Sequence, residues 1–583
     1  MSPESAALTR FTTASISGGM AELGKENRPA LLAAAACLSA VGGAAYYNSF
    51  EGVFLFDDIR NIVQNDSIHR FWPLGGWFAN PENIERPVVT LTLAANYRLG
   101  GLNVWGYHAF NLGVHLLAAL TLFGIVRRTL LSPRLRERFG EAAAQLALCV
   151  ALLWLVHPLQ TEAVTYIWQR CESLMGLFFL LTLYCVIRGF HAARPGWWHA
   201  GAVCCCLLGA GCKQVIVMAL PVVLLYDLVF LSGHHSLNTE DTKDTEEHRG
   251  KDIGKNSKSV PTKPSAFHRV LCVEKSVLRR WRLYAGLGAS WILVALLLLA
   301  GPSLETGTVM CSRWEYARTQ PGVIQHYLRL AIWPDTLCLD YWWTVANTVS
   351  EILPGALTVA GLLAATGWAL WRAPAWGFLG AWFFLILAPT SSLMPIDLAF
   401  EHRMYLPLAA VAVAVVCGAF LLSRSLLQVA QSSGLRRKPE ACATGSPCFS
   451  WLALALAGCA VLALSCRTAQ RNEDYQSEFR MWSGVLAQRP GNPHALNNVG
   501  LELYRQKYLD AAIAYFQRAL KIKPEYAAAH NNLGNALFKE GQLDEALTHY
   551  REALKYKPNY AEAHYNLSLA LAAKSRLEKA GAH

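Results

Sequence analysis

The feature that most constrains this chain is a succession of long apolar runs separated by short polar connections. Crossing a bilayer takes about 20 mostly apolar helical residues, because lipid offers the backbone no hydrogen-bond partner but itself. Runs of this kind lie near 29–48, 107–126, 143–160, 173–190, 197–212, 214–231, 283–301, 352–371, 375–395, 404–423 and 449–466, about eleven by this criterion. They predict an all-α, polytopic transmembrane helix bundle. Only 16% of residues are charged, against roughly a quarter in soluble domains, so a disordered chain or a basic nucleic-acid binder is excluded. The partners expected are membrane lipids, with no nucleic acid.

The formal charge of +11 then reads as topology, since Lys and Arg collect on the cytoplasmic side of membrane proteins. Segment 127–142 carries Arg127, Arg128, Arg134, Arg136 and Arg138, and segment 424–448 carries Arg424, Arg436, Arg437 and Lys438. A polar, Lys-rich linker occupies 232–282. All three are expected to be cytoplasmic, whereas the alternate loops hold Asp57, Asp58, Glu162, Glu172, Asp340, Asp397 and Glu401. The stretch 320–343 would spoil this alternation as a span and is read as interfacial or re-entrant. Most of the sixteen cysteines lie in apolar runs without metal-ligand spacing, as small membrane-core residues do. No metal ligand can be assigned.

From about 472 the composition changes, and Pro490, Pro524 and Pro558 recur every 34 residues, the period of the tetratricopeptide repeat (TPR). Gly500 and Gly534, Ala512 and Ala546, Phe516 and Tyr550, and Ala519 and Ala553 keep the same step. These marks predict a short C-terminal α-solenoid: a half repeat with Trp482, two full repeats over about 491–558, and a third with Ser568 in place of the Gly. Asn498, Asn532 and Asn566 repeat too. They are either ordinary TPR composition or a ladder of amides that binds an acceptor peptide backbone.

Chemistry-bearing residues gather in the acidic loops. Asp57 and Asp58 follow the first run; adjacent carboxylates at a membrane surface are either a solvated turn or a general base with a supporting neighbour. His108, Asn111 and His115 share one helix face, as a polar seam between helices or the wall of a wet cavity. The segments HPLQTEAVTYIWQRCES and AFEHRMYLP add His157, Glu162, Arg170, Glu172, Glu401, His402, Arg403 and Tyr405.

Taken in order, Asp57-Asp58, RPVVTLT, YHAFNLGVH, HPLQTEAV, EHRMYLP and a TPR tail resemble the transmembrane-and-TPR protein family, whose membrane part is similar to GT-C fold glycosyltransferases. The resemblance implies 1–28 as a cytoplasmic segment, 29–471 as a GT-C-like membrane domain with extracytoplasmic loop 49–106, and 472–583 as the TPR domain. It implies no covalently bound cofactor, and a polyprenyl- or dolichyl-phosphate sugar as donor, with a mannose-like sugar passing to protein Ser/Thr hydroxyls. Asp57 takes the role of base and Asp58 that of support. Arg86, Arg170, Lys213 and Arg403 are candidates for the donor phosphate, with His108, His115, Glu162, Glu172, Glu401 and His402 as cavity support. The family's GRAE-like segment is here QRCE (169–172) and its KE pair is Lys213-Gln214, departures closer to a bacterial-type relative. Either a bacterial cytoplasmic membrane or the endoplasmic reticulum is implied, with the active face and TPR extracytoplasmic.

The competing reading is a non-catalytic, membrane-anchored TPR scaffold. A transporter lacks the internal duplication and broken helix pair such folds use. Walker, GxGxxG, HExxH and GxSxG signals are missing, so a nucleotide-sugar donor has no support.

Overall fold

The computed structural model describes residues 28–69, 81–231, 280–300, 311–392, 397–432 and 451–581. The N-terminal segment and nearly all of the linker 232–282 lie outside the described residues. Every regular element described is helical. The membrane part comprises α1 (Arg28–Ala45), α2 (Pro87–Gly100), α3 (Val104–Leu130), α4 (Ala143–Leu155), α5 (Arg170–His191), α6 (Pro195–Ala210), the helical segment Gln214–Leu231, α7 (Trp281–Ala300), α8 (Arg313–Ile332), α9 (Val349–Arg372), α10 (Pro374–Leu387), α11 (Pro407–Ser432) and α12 (Trp451–Glu473).

Local chemistry sets these boundaries. Pro opens α2, α6 and α10, where its missing N–H costs nothing. Asn103 caps α3 by accepting from Trp105 N, and Ser312 with Glu315 closes a capping box on α8. Among the described residues eight helices are long and apolar enough to cross a membrane, and the runs not among them are 197–212, 375–395 and 449–466, the last of which becomes the 23-residue α12. The runs 197–212 and 375–395 become α6 and α10, of 16 and 14 residues. At 1.5 Å per residue they reach about 24 and 21 Å, short of a core of about 30 Å. Counting apolar residues cannot see such stops: α6 ends beside Gly211 and Lys213, and α10 ends just before Pro389. Stretch 320–343 is no span. Its first half belongs to α8, and residues 333–347 carry no regular secondary structure.

Burial orders the bundle. Over the 18-residue apolar window of each, 72% of the helix Ile167–His191 is buried within the protein, against 6% of α9, so α5 is central and α9 peripheral, its Leu357, Leu363, Trp368 and Trp371 turned outward. Polar side chains clamp the centre. His115 on α3 bonds Leu155 O through Nε2 (2.9 Å) and Tyr405 OH through Nδ1 (2.9 Å), while Trp154 Nε1 donates to Tyr405 O (2.8 Å). A carbonyl only accepts, so His115 carries its proton on Nε2 and accepts from Tyr405. The basic segments converge at one end of the bundle, where Arg134 donates to Val229 O and Arg424 to Arg138 O.

The C-terminal part stacks α13 (Glu478–Gln488), α14 (Pro493–Arg505), α15 (Leu509–Ile522), α16 (Ala527–Lys539), α17 (Leu543–Tyr556) and α18 (Ala561–Gly581). Within each full repeat a Gly faces an aromatic ring: a Cβ on Gly500 would sit 2.8 Å from Phe516, and one on Gly534 2.7 Å from Tyr550. Ser568 stands where the other repeats have Gly and is exposed in α18, so its side chain meets no facing ring. The root of the solenoid is part of the membrane core, since Trp482, Val485, Ala495 and Val499 pack into it.

Candidate active site

Asp57 and Asp58 lie in the connection from α1 to α2, and the fold gives them different tasks. Asp58 is wholly buried, and both its oxygens are occupied: Oδ2 accepts from Leu55 N at 3.0 Å and Oδ1 from Trp168 N at 2.7 Å. It therefore closes its own loop and ties it to the start of α5. Asp57 is half-buried, and its backbone N–H donates to Tyr166 OH at 2.9 Å. Burial pushes its carboxyl above the usual range, opposed by a hydrogen bond from Tyr166 and the charge of Arg86.

The cations around this loop are engaged to different degrees. Arg170, fully buried, donates to Asn111 Oδ1 (2.7 Å), Tyr107 O (3.2 Å) and Thr92 Oγ1 (3.4 Å), and lies over the Phe110 ring. Asn111 in turn donates to Val164 O. This joins α2, α3 and α5. Arg403 donates to Thr390 O, Leu398 O, Tyr316 OH and Asp397 O, and so holds the chain leading into α11. Lys213 is paired with Glu172. Arg86 makes the fewest hydrogen bonds among the described residues of this group: its Nε has none and is ion-paired with Glu85 at 3.5 Å, its NH1 meets the Cys171 thiol at 3.5 Å, and its guanidinium lies over the Trp168 ring.

The acidic support residues form a second buried cluster. Glu162 accepts from His402 N (2.9 Å) and from its ring at Nδ1 (2.7 Å). Burial and nearby Lys213 hold His402 well below its usual pKa, so it is neutral, with its proton on Nδ1. Glu401 accepts from Cys338 N and Tyr341 OH and lies 3.8 Å from Arg471. Burial raises the carboxyls of both glutamates. His108 is buried against Gly52, in the same loop as Asp57, and His115 belongs to the clamp at the centre. Among the described residues no group of three or more His, Cys, Asp or Glu is placed to hold a metal ion.

The repeating asparagines hydrogen-bond within the solenoid. Asn532 donates to Asn497 Oδ1 and Asn566 to Asn531 Oδ1, both at 3.0 Å, which links successive repeats. Asn498 donates to His494 O in its own helix. Residues without a motif supply much of the joint with the membrane part: His494 pairs with Asp340 at 2.9 Å, Gln488 donates to Leu337 O, and Lys523 lies over Trp342. Tyr166 and Trp168, inside the segment HPLQTEAVTYIWQRCES, hold the acidic pair, yet nothing in their spacing singles them out.

Comparison with known proteins agrees with this architecture. The TPR repeat family matches residues 500–541 and 534–575. Human protein O-mannosyl-transferase TMTC2 is 32% identical over 211 residues, 33% of this chain and 23% of that protein. Human protein O-mannosyl-transferase TMTC3 is 23% identical over 83% of this chain and 50% of its own length. Drosophila melanogaster Tmtc3, also a protein O-mannosyl-transferase, is 26% identical over 84% of this chain and 55% of its own. The chain is a homologue of these TPR-bearing transferases. It spans between about a quarter and about half the length of the curated relatives it matches. The alignments with TMTC3 and Tmtc3 take in most of the chain, so the homology reaches well beyond the repeats.

Proposed function

We propose that this protein is a membrane glycosyltransferase that moves a mannose-like sugar from a polyprenyl- or dolichyl-phosphate donor to Ser or Thr hydroxyls of a polypeptide. The observation that carries this reading is the division of labour in the acidic pair. Asp58 spends both oxygens on backbone N–H groups, whereas Asp57 is half-exposed and contacts Tyr166, with the charge of Arg86 nearby. An acceptor hydroxyl attacks the anomeric carbon, its proton passes to the Asp57 carboxylate, and the sugar–phosphate bond breaks with the electron pair going to the leaving phosphate. Arg86 is the cation with the fewest hydrogen bonds to give up to that phosphate, Lys213 being paired with Glu172, while Arg170 and Arg403 hold the surrounding backbone.

The proposed active face is extracytoplasmic, supported by convergence of the basic segments at one end of the bundle. The TPR root packs beside loop 49–106, so an acceptor held by the repeats would be delivered near Asp57. The test is transfer by protein reconstituted with defined polyprenyl-phosphate sugars and acceptor peptide. Transfer that Asp57→Asn abolishes supports the reading. Peptide binding without transfer from any such donor would replace it with the scaffold function that the TPR match also fits.

A further inference from the structure

Immediately before Asp57 the backbone does something an L-residue resists. Phe56 has φ 46°, in the left-handed region, where a side chain other than Gly is strained unless its surroundings impose the conformation. Its ring is half exposed, and one side of it meets Trp482, centroids 5.8 Å apart and edge to face. Trp482 lies on α13, the root helix of the TPR domain, and is only 4% exposed. Two more contacts fasten the same pair of segments: Val53 N donates to Tyr475 O at 3.2 Å, and Gln476 Nε2 donates to Glu51 Oε2 at 3.0 Å. On the other side of Asp57, the Asp58 carboxylate grips Leu55 N and Trp168 N. The turn carrying Asp57 is thus held from the membrane part through Asp58 and Tyr166, and from the repeat domain through Phe56.

We propose that Trp482 is a positioning residue for Asp57: the TPR root holds Phe56 in its strained conformation and thereby aims the carboxylate at the acceptor hydroxyl. This rests on Asp57 being the base of the proposed transfer. It makes the repeat domain a structural part of the catalytic turn, in addition to a place where an acceptor binds. Acceptor occupancy of the solenoid and the aim of Asp57 would then be coupled through one aromatic contact.

The test uses full-length protein in lipid nanodiscs, with a polyprenyl-phosphate sugar as donor and a Ser/Thr peptide as acceptor. Trp482→Ala should lower kcat by roughly tenfold or more, the scale of a misaimed catalytic group, with the peptide KM nearly unchanged. Trp482→Phe, which keeps an aromatic edge, should restore most of the rate. Phe56→Gly admits the same φ without the ring, so its rate should not fall further when Trp482→Ala is added. The acidic limb of the kcat profile should move to lower pH in Trp482→Ala, because opening the turn relieves the burial that raises Asp57; the other groups acting on it, Tyr166, Arg86, Arg60 and Asp397, are unchanged. A loss in KM alone, or additive losses in the double variant, would overturn the positioning role. Should Trp482→Ala not fold, the comparison of Trp482→Phe with Phe56→Gly decides it, and wild-type rates in both refute it. Full turnover in Asp57→Asn would instead sink the base assignment, whereas an inactive Asp57→Asn beside a fully active Trp482→Ala rejects only the positioning.

Discussion

Exchanging Asp for Asn at positions 57 and 58 should produce opposite phenotypes one residue apart. At Asp58, one oxygen becomes an NH2 that faces a backbone donor, whichever way the amide turns. Either Leu55 N or Trp168 N, bonded at 3.0 and 2.7 Å, then loses its acceptor in a fully buried site. A hydrogen bond to a charged group contributes about 1.5–3 kcal/mol, so the orphaned amide should exchange with solvent about 10- to 150-fold faster. At Asp57 no such pair exists. Its side chain meets the Tyr166 hydroxyl, which can still donate to the Asn oxygen. Asp57→Asn should leave exchange unchanged while transfer falls by the 10² to 10⁴ typical of losing a general base. Hydrogen exchange read by mass spectrometry on peptides covering 53–60 and 164–170, beside a transfer assay, separates the two. Fast exchange in Asp57→Asn with normal protection in Asp58→Asn would mean the clamp and the base have been exchanged in this reasoning.

Burial lifts Asp57 and the Tyr166 hydrogen bond lowers it, so the acidic limb of the rate profile should lie above the ordinary Asp value of about 3.9 and move higher still in Tyr166→Phe; a limb that moves to lower pH would contradict the assignment. Asn532→Ala removes the bond to Asn497 Oδ1 and should speed exchange in α16 by about fivefold, the effect of about 1 kcal/mol; unchanged exchange would return the ladder to ligand binding. Single cysteines labelled in sealed vesicles should report residues 232–282 on the side opposite to Asp57 and the repeats, and equal protection of linker and repeats would reject the orientation.

Hydropathy made most of the bundle readable, because lipid forces every crossing segment to be both helical and apolar. It overcounted at α6, whose run is no longer than its 16-residue helix, and at α10, where the apolar stretch outlasts the helix that carries it. The 34-residue step located the repeats, since each Gly must admit the ring of Phe516 or Tyr550. The site was legible by residue type but not by task. A buried Arg that knots three helices and one with few hydrogen bonds look alike in sequence, so the spacing alone does not separate Arg170 and Arg403 from Arg86. The strain at Phe56 and its contact with Trp482, 426 positions later in the numbering (482 − 56), have no local signature at all.

The departures QRCE and Lys213-Gln214 bear on whether the membrane part can still act, and their locations argue that it can. Three of the four charges in these two segments are retained, the Glu of the KE pair being replaced by Gln214: Arg170 binds Asn111 and the Tyr107 carbonyl, and Glu172 pairs with Lys213. What differs is Gln169, Cys171 and Gln214. Gln214 opens a short helical turn, and Gln169 precedes α5 without joining any ion pair among the described residues. Cys171 is the one changed residue that reaches the proposed phosphate cation, its thiol 3.5 Å from Arg86 NH1. A thiol is a weak acceptor and competes poorly with a phosphate oxygen for a guanidinium, so it leaves Arg86 available. Cys171→Ser would put a stronger acceptor in the same place. The expected result is a higher KM for the lipid-linked donor with little change in kcat at saturation, because the hydroxyl holds Arg86 before the donor arrives. A lower donor KM in Cys171→Ser would place the phosphate elsewhere, with Lys213 and its Glu172 partner the next cation to test.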